Sequence, residues 1–137
     1  MDKEVKELWL TALRSGEYQQ GKGALVHRGQ GQGQDQFCCL GVLCDLAEKA
    51  GVVRRNPSGY PYGSDSYGED RDIGGLPAEV MLWSGISFCE GELSEPVPNP
   101  DPISNLVENG RTLIVLNDTF NYTFEQIANV IESNDIL

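Results

Sequence analysis

The chain has 137 residues, 16 of them glycine, and a formal net charge of −11. That length fits one domain with a modest core. No apolar run approaches the roughly 18–20 residues of a membrane-crossing helix, and the charge disfavours direct binding of nucleic acid. The opening "MDKEVKELW" mixes acids and bases rather than leading a basic stretch into an apolar one, so no membrane association is expected and the expected location is a cytoplasm with reduced thiols. The charge is segregated. Residues 1–56 hold eight Lys or Arg against seven Asp or Glu, a net of +1, and residues 57–137 hold two against fourteen, a net of −12.

The first expected element is a helix capped by Asp2, with Val5, Leu8, Trp9, Ala12 and Leu13 on one apolar stripe and Ser15–Gly16 as its stop. Ala24–His27 and Gln36–Cys39 are short extended candidates, joined by a glycine- and glutamine-rich tip. A second helix is expected from Leu40 to Lys49, with Leu40, Leu43, Leu46, Ala47 and Ala50 on one face and Gly51 ending it. "VVRRN" suggests a strand over Val52–Arg55, followed by a long loop rich in Gly, Pro and Tyr. Leu76–Pro77 opens a short helix to Trp83, ended by Ser84–Gly85. Residues 86–106 read as irregular, and "RTLIVLND" as a buried apolar segment. The last helix carries a capping box, Thr123 with Gln126, a hydrophobic staple of Tyr122 on Ile127, and the inner stripe Phe124, Ile127, Ala128 and Ile131. The expected fold is α+β: a single compact domain over 1–137, of three to four helices with a small antiparallel sheet and long flexible loops near 28–35, 56–75 and 90–104. Loops of that length in a small domain tend to carry function.

Cys38, Cys39, Cys44, Cys89 and His27 are the only soft metal ligands, but no C-x₂₋₄-C pair is present and adjacent cysteines diverge on an extended chain, so no metal is expected. Cys38 or Cys39 stands just before a helix, where N–H groups lower a thiol pKa; with His27 as base it is a candidate nucleophile, against the alternative that these thiols are small core residues. No nucleotide fingerprint, GxxxxGK[ST] or strand–GxGxxG–helix, occurs, and no cofactor is expected. Lys22, Arg28, Arg54 and Arg55 lie in or beside the loops that hold Tyr18, Tyr60, Tyr62 and Tyr67, a combination suited to a small anionic ligand, against the alternative that the arginines balance neighbouring acids. Asn117 and Asp118 end an apolar run; Asp118 is a candidate ligand contact, or else an Asx turn entering the last helix.

The phrases "WLTALRSGEYQQGKGAL", "FCCLGVLCDLAEKAGV", "LPAEVMLWSGI" and "LND…YTFEQIANVIE" resemble a family of short accessory proteins encoded by bacteriophages and related mobile elements. In that family the stretch from Asp118 to Thr123 carries a glycine near the place of Asn121, and asparagine also tolerates a left-handed turn. The resemblance implies action inside an infected bacterial cell and carries over no active residue. The function expected is non-enzymatic binding in the host cytoplasm, for counter-defence by sequestering a small nucleotide-like anion. The alternatives are an acidic inhibitor or DNA mimic that binds a basic host protein, and a cysteine-dependent hydrolase. A small domain with so much loop also gains order by packing against a copy, so a homo-oligomer is among the expected partners.

Overall fold

The computed structural model describes the whole chain except residues 32, 59–62, 102 and 104–108. It is an α+β domain. Helix α1 spans Lys3–Arg14, and Asp2 caps it by accepting from the Val5 N–H at 2.9 Å. Strands β1 (Gln19–Gln20), β2 (Val26–His27) and β3 (Gln36–Phe37) follow, then α2 (Cys39–Lys49), β4 (Arg55–Asn56), β5 (Ser64–Tyr67) and α3 (Ala78–Ser84). A hairpin of β6 (Glu92–Pro98) and β7 (Asn109–Thr112) leads into a π-type helical turn, Val115–Thr119, and the chain closes with α4 (Phe124–Ser133).

Five strands form one sheet in the order β1-β3-β2-β5-β4, antiparallel except for the β1–β3 pair. The expected pairing of the two short segments around the glycine-rich tip is present, with Val26 opposite Phe37. One continuous apolar cluster joins all four helices and the sheet. Helix α1 packs on α2, α3 and α4, and Trp9, fully buried, donates its indole N–H to the Cys39 carbonyl at 2.9 Å. A buried indole needs such a partner, and here the bond also ties α1 to the first turn of α2.

The local signals placed most helix ends. Ser15 closes α1 with Gly16 at positive φ, Gly85 closes α3 in the left-handed conformation, and Thr123 with Gln126 forms the full capping box of α4. Asn121 has φ +57°, a left-handed turn that asparagine tolerates better than most residues.

Four expectations are corrected. Leu8 is 54% exposed and Leu10 takes its place in the core, because the buried arc of α1 runs through Val5, Trp9, Leu10 and Leu13. The strand expected over Val52–Arg55 falls at Arg55–Asn56, since Val52 still bonds back to Ala47 and completes the turn after α2. The loop expected over 56–75 contains β5, whose Asp65, Ser66 and Tyr67 are buried; its middle, 59–62, lies outside the described residues. The loop expected over 90–104 contains the seven-residue strand β6, with Ser94 bonded to Asn134 and Asp135 at the C-terminus.

Candidate functional site

Helix α2 begins where the thiols lie. Cys38 is its N-cap, and its Sγ accepts from the Gly41 N–H at 3.3 Å. That contact favours the thiolate, yet burial outweighs it and pushes the Cys38 pKa up to about 11. Burial drives Cys39 and Cys44 well above the ordinary thiol range too. His27 is committed elsewhere. Its Nε2–H donates to the Lys22 carbonyl, and its Nδ1 is hydrogen-bonded with the Ser64 hydroxyl at 3.1 Å. The cysteine–histidine pairing considered from the sequence is therefore corrected: its sulfurs are core atoms and its imidazole bonds within the sheet. Among the described residues, no three His, Cys, Asp or Glu converge as metal ligands.

The arginine cluster is also redistributed. Asp65, 3% exposed on β5, accepts from Arg28 Nη2 and Arg55 Nε at 2.8 Å each and from the Ser58 N–H at 2.9 Å. Arg55 reaches Asp35 as well, at 2.9 Å, and Asp35 accepts from the Gly29 N–H. Burial alone would raise the Asp65 carboxyl, but the Ser58 N–H and the two guanidinium groups outweigh it and hold it below its ordinary value. These two arginines thus join the loops to the sheet and are not offered to a ligand. Lys22 stays exposed apart from them. Tyr60 and Tyr62 lie outside the described residues. Asp118 lines a separate cavity of about 340 Å³ with Cys38, Cys89 and Asp72. Its neighbour Asn117 is fully buried and connects four segments, donating to the Gly21 carbonyl and Asp118 and accepting from Gln20 and the Cys39 N–H.

Arg54 is placed differently. Its main chain is held by the Gly68 N–H, which donates to the Arg54 carbonyl at 2.9 Å, and the residue, just before β4, is exposed. The turn after β5 carries Arg71, with φ +56°. The two arginines line a cleft of about 580 Å³ with Asn56, Gly68, Glu69 and Glu79. Asn56 braces one wall by donating to the Gly68 carbonyl at 2.6 Å. Gly68 is required at this point: φ is +73°, and a Cβ would stand 1.9 Å from Glu79 Oε2. That oxygen is buried and has no hydrogen-bond partner among the described residues. Neither guanidinium holds a carboxylate among the described residues, whereas Arg14, Arg28 and Arg55 all do.

Two guanidinium groups that line one cleft and hold no carboxylate among the described residues suit a phosphate or carboxylate, which a guanidinium grips through parallel N–H bonds. Glu69 and Glu79 make the lining neutral as a whole, and the chain around it is acidic. The cleft therefore suits a ligand with one or two negative charges better than a polyanion. Arg71 and Glu79 were not among the residues singled out from the sequence. The available signal was that Arg71 is one of only two basic residues after residue 56.

A family model described as a domain of unknown function, DUF8296, matches residues 1–135, and the chain belongs to that family. No curated protein and no solved structure matches it.

Proposed function

We propose that this member of the family is a non-catalytic binding protein that captures a small anionic ligand in the Arg54–Arg71 cleft. The observation that carries the reading is that these two side chains share a cavity and hold no carboxylate among the described residues, while the other loop arginines named above are consumed by Asp35 and Asp65. The ligand class is a compact molecule bearing a phosphate or carboxylate, of which a mononucleotide is one form. Taken with the resemblance to phage accessory proteins, the biological role proposed is capture of a signalling anion inside an infected cell, against host defence.

The test is a thermal-shift and calorimetric panel of inorganic phosphate, linear nucleotides and cyclic nucleotides. At least one nucleotide is expected to raise the melting temperature, and Arg54→Glu and Arg71→Glu should each remove that rise while leaving the unliganded melting temperature in place. A panel with no shift, or a shift untouched by both variants, overturns the reading.

The charge segregation favours one rival, an acidic inhibitor of a basic host protein, since residues 57–137 carry a net of −12. In that case a basic host protein binds the chain, and its affinity falls steeply with salt and with charge reversal in the acidic half, not with Arg54.

A further inference from the structure

We propose that the groove between α1 and α2 is a docking site for a basic amphipathic helix of another protein. The groove has a volume of about 770 Å³, and Leu8, Ala12, Leu46 and Tyr18 supply its apolar lining. Leu8 is 54% exposed, on a helix whose other leucines are buried. Tyr18 is held in place. Its hydroxyl donates to Asp45 and accepts from Lys49 Nζ at 3.1 Å, and its ring meets Phe37 edge-on with centroids 5.2 Å apart. A fixed aromatic beside an exposed leucine needs little further ordering when a partner covers it.

The charges around this lining select a basic occupant. Lys3, Glu4, Glu7, Glu17 and Lys49 all line the groove. Lys49 is already paired with Asp45, 3.0 Å away and outside the lining. The other four have no ion-pair partner among the described residues, which leaves three carboxylates against one ammonium, a net of −2. A partner face that carries Lys or Arg beside its apolar residues complements such a rim, and an acidic face is repelled by it. The shape of the groove favours a helix. Its walls are helical apart from Glu17 and Tyr18, which precede β1, so they offer no sheet edge to an extended peptide. A helix satisfies its own main chain and brings only side chains. From Lys3 to Ser15 the α1 wall runs for about 18 Å, room for about three turns of such a helix. The lining falls within residues 3–49 and shares nothing with the arginine cleft or the acidic half, so this docking stands or falls independently of both readings above.

The probe is a synthetic amphipathic peptide of leucine and lysine at helical spacing, with a leucine–glutamate peptide of the same pattern as its counterpart. Calorimetry at physiological salt should show the lysine peptide binding one to one and the glutamate peptide not binding. Amide shifts in NMR spectra should cluster on α1, Tyr18 and the last turn of α2. Leu8→Arg, at an exposed position, should keep the melting temperature and weaken the lysine peptide by about tenfold, through loss of an apolar anchor and added repulsion. Glu7→Lys should weaken it by about fivefold, the share of one exposed ion pair, whereas Glu90→Lys, an equal change of charge in the acidic half, should leave it in place. A lysine peptide that fails to bind, binds no better than its counterpart, or is indifferent to Leu8→Arg overturns the proposal. Equal losses from Glu7→Lys and Glu90→Lys also overturn it, by assigning the attraction to net charge alone. A dimer of the free protein that Leu8→Arg dissociates overturns it in favour of a second copy.

Discussion

Cys38 shows two effects of opposite sign competing at one residue. A helix start supplies N–H groups that favour a thiolate, and the Gly41 N–H does bond Sγ. Removal of that sulfur from water acts the other way and wins, leaving the pKa at about 11. Almost no thiolate exists at neutral pH. Treatment of the folded protein with iodoacetamide at pH 7 should therefore modify Cys89, the exposed cysteine, and leave Cys38, Cys39 and Cys44 untouched until denaturant is added. Peptide mapping by mass spectrometry reads the result, and rapid labelling of Cys38 in the native state would restore the hydrolase reading. Asn117 makes the same point for polar groups. A polar residue ending an apolar run reads equally as a turn or as a buried hydrogen-bonding centre, and partners 78 to 97 positions away in the chain make it the second.

Elements built from local signals came out close to expectation, and those built from distant contacts did not. Helices α1, α2 and α4 follow the 3.6-residue apolar spacing and their capping residues, both of which act within one or two turns. Strand β5 has the sequence Ser-Asp-Ser-Tyr, which carries little strand propensity. It is a strand because β2 and β4 pair with it on either side and because Asp65 is neutralised there. Helix α2 is packed so tightly on β2 that Gly41 has no room for a side chain: a Cβ would stand 1.8 Å from the Leu25 carbonyl oxygen. The Leu25 atoms it meets are all main chain, so relief requires the helix to move away from the segment that leads into β2. Gly41→Ala should cost about 2–3 kcal/mol despite its better helix propensity, as judged by urea denaturation. A variant as stable as the parent would show that this contact is looser.

Across the whole molecule, the Asp35–Arg55–Asp65–Arg28 network joins residues from four segments and makes stability depend on acid. Asp65 has a folded-state pKa below its unfolded value, which is about 3.9 for an aspartate. Its contribution is thus fully present above that unfolded value and is lost as pH falls through the lower, folded one. Denaturation midpoints should hold steady near neutrality and drop below about pH 4. Asp65→Asn should remove Asp65's share of that drop. At pH 7 the same variant should lose about 2–3 kcal/mol, towards the lower range for a broken buried pair because both arginines are partly exposed. An asparagine variant with unchanged stability at pH 7 would show that the two arginines are held well enough without this carboxylate.

Read alone, the chain specified an α+β domain, its capped helices and the turns at Gly16, Gly85 and Asn121, because each depends on residues within a few positions of one another. It also contained every charge, but not their partners. Arg28, Arg54 and Arg55 look alike as sequence, all basic and all near glycine-rich loops. Folding brings Arg28 to an aspartate 37 positions away and Arg55 to the same carboxylate, and it leaves Arg54 lining a cleft with Arg71. Which charge is neutralised and which stays available depends on strand order and register, and those arise from contacts between distant parts of the chain.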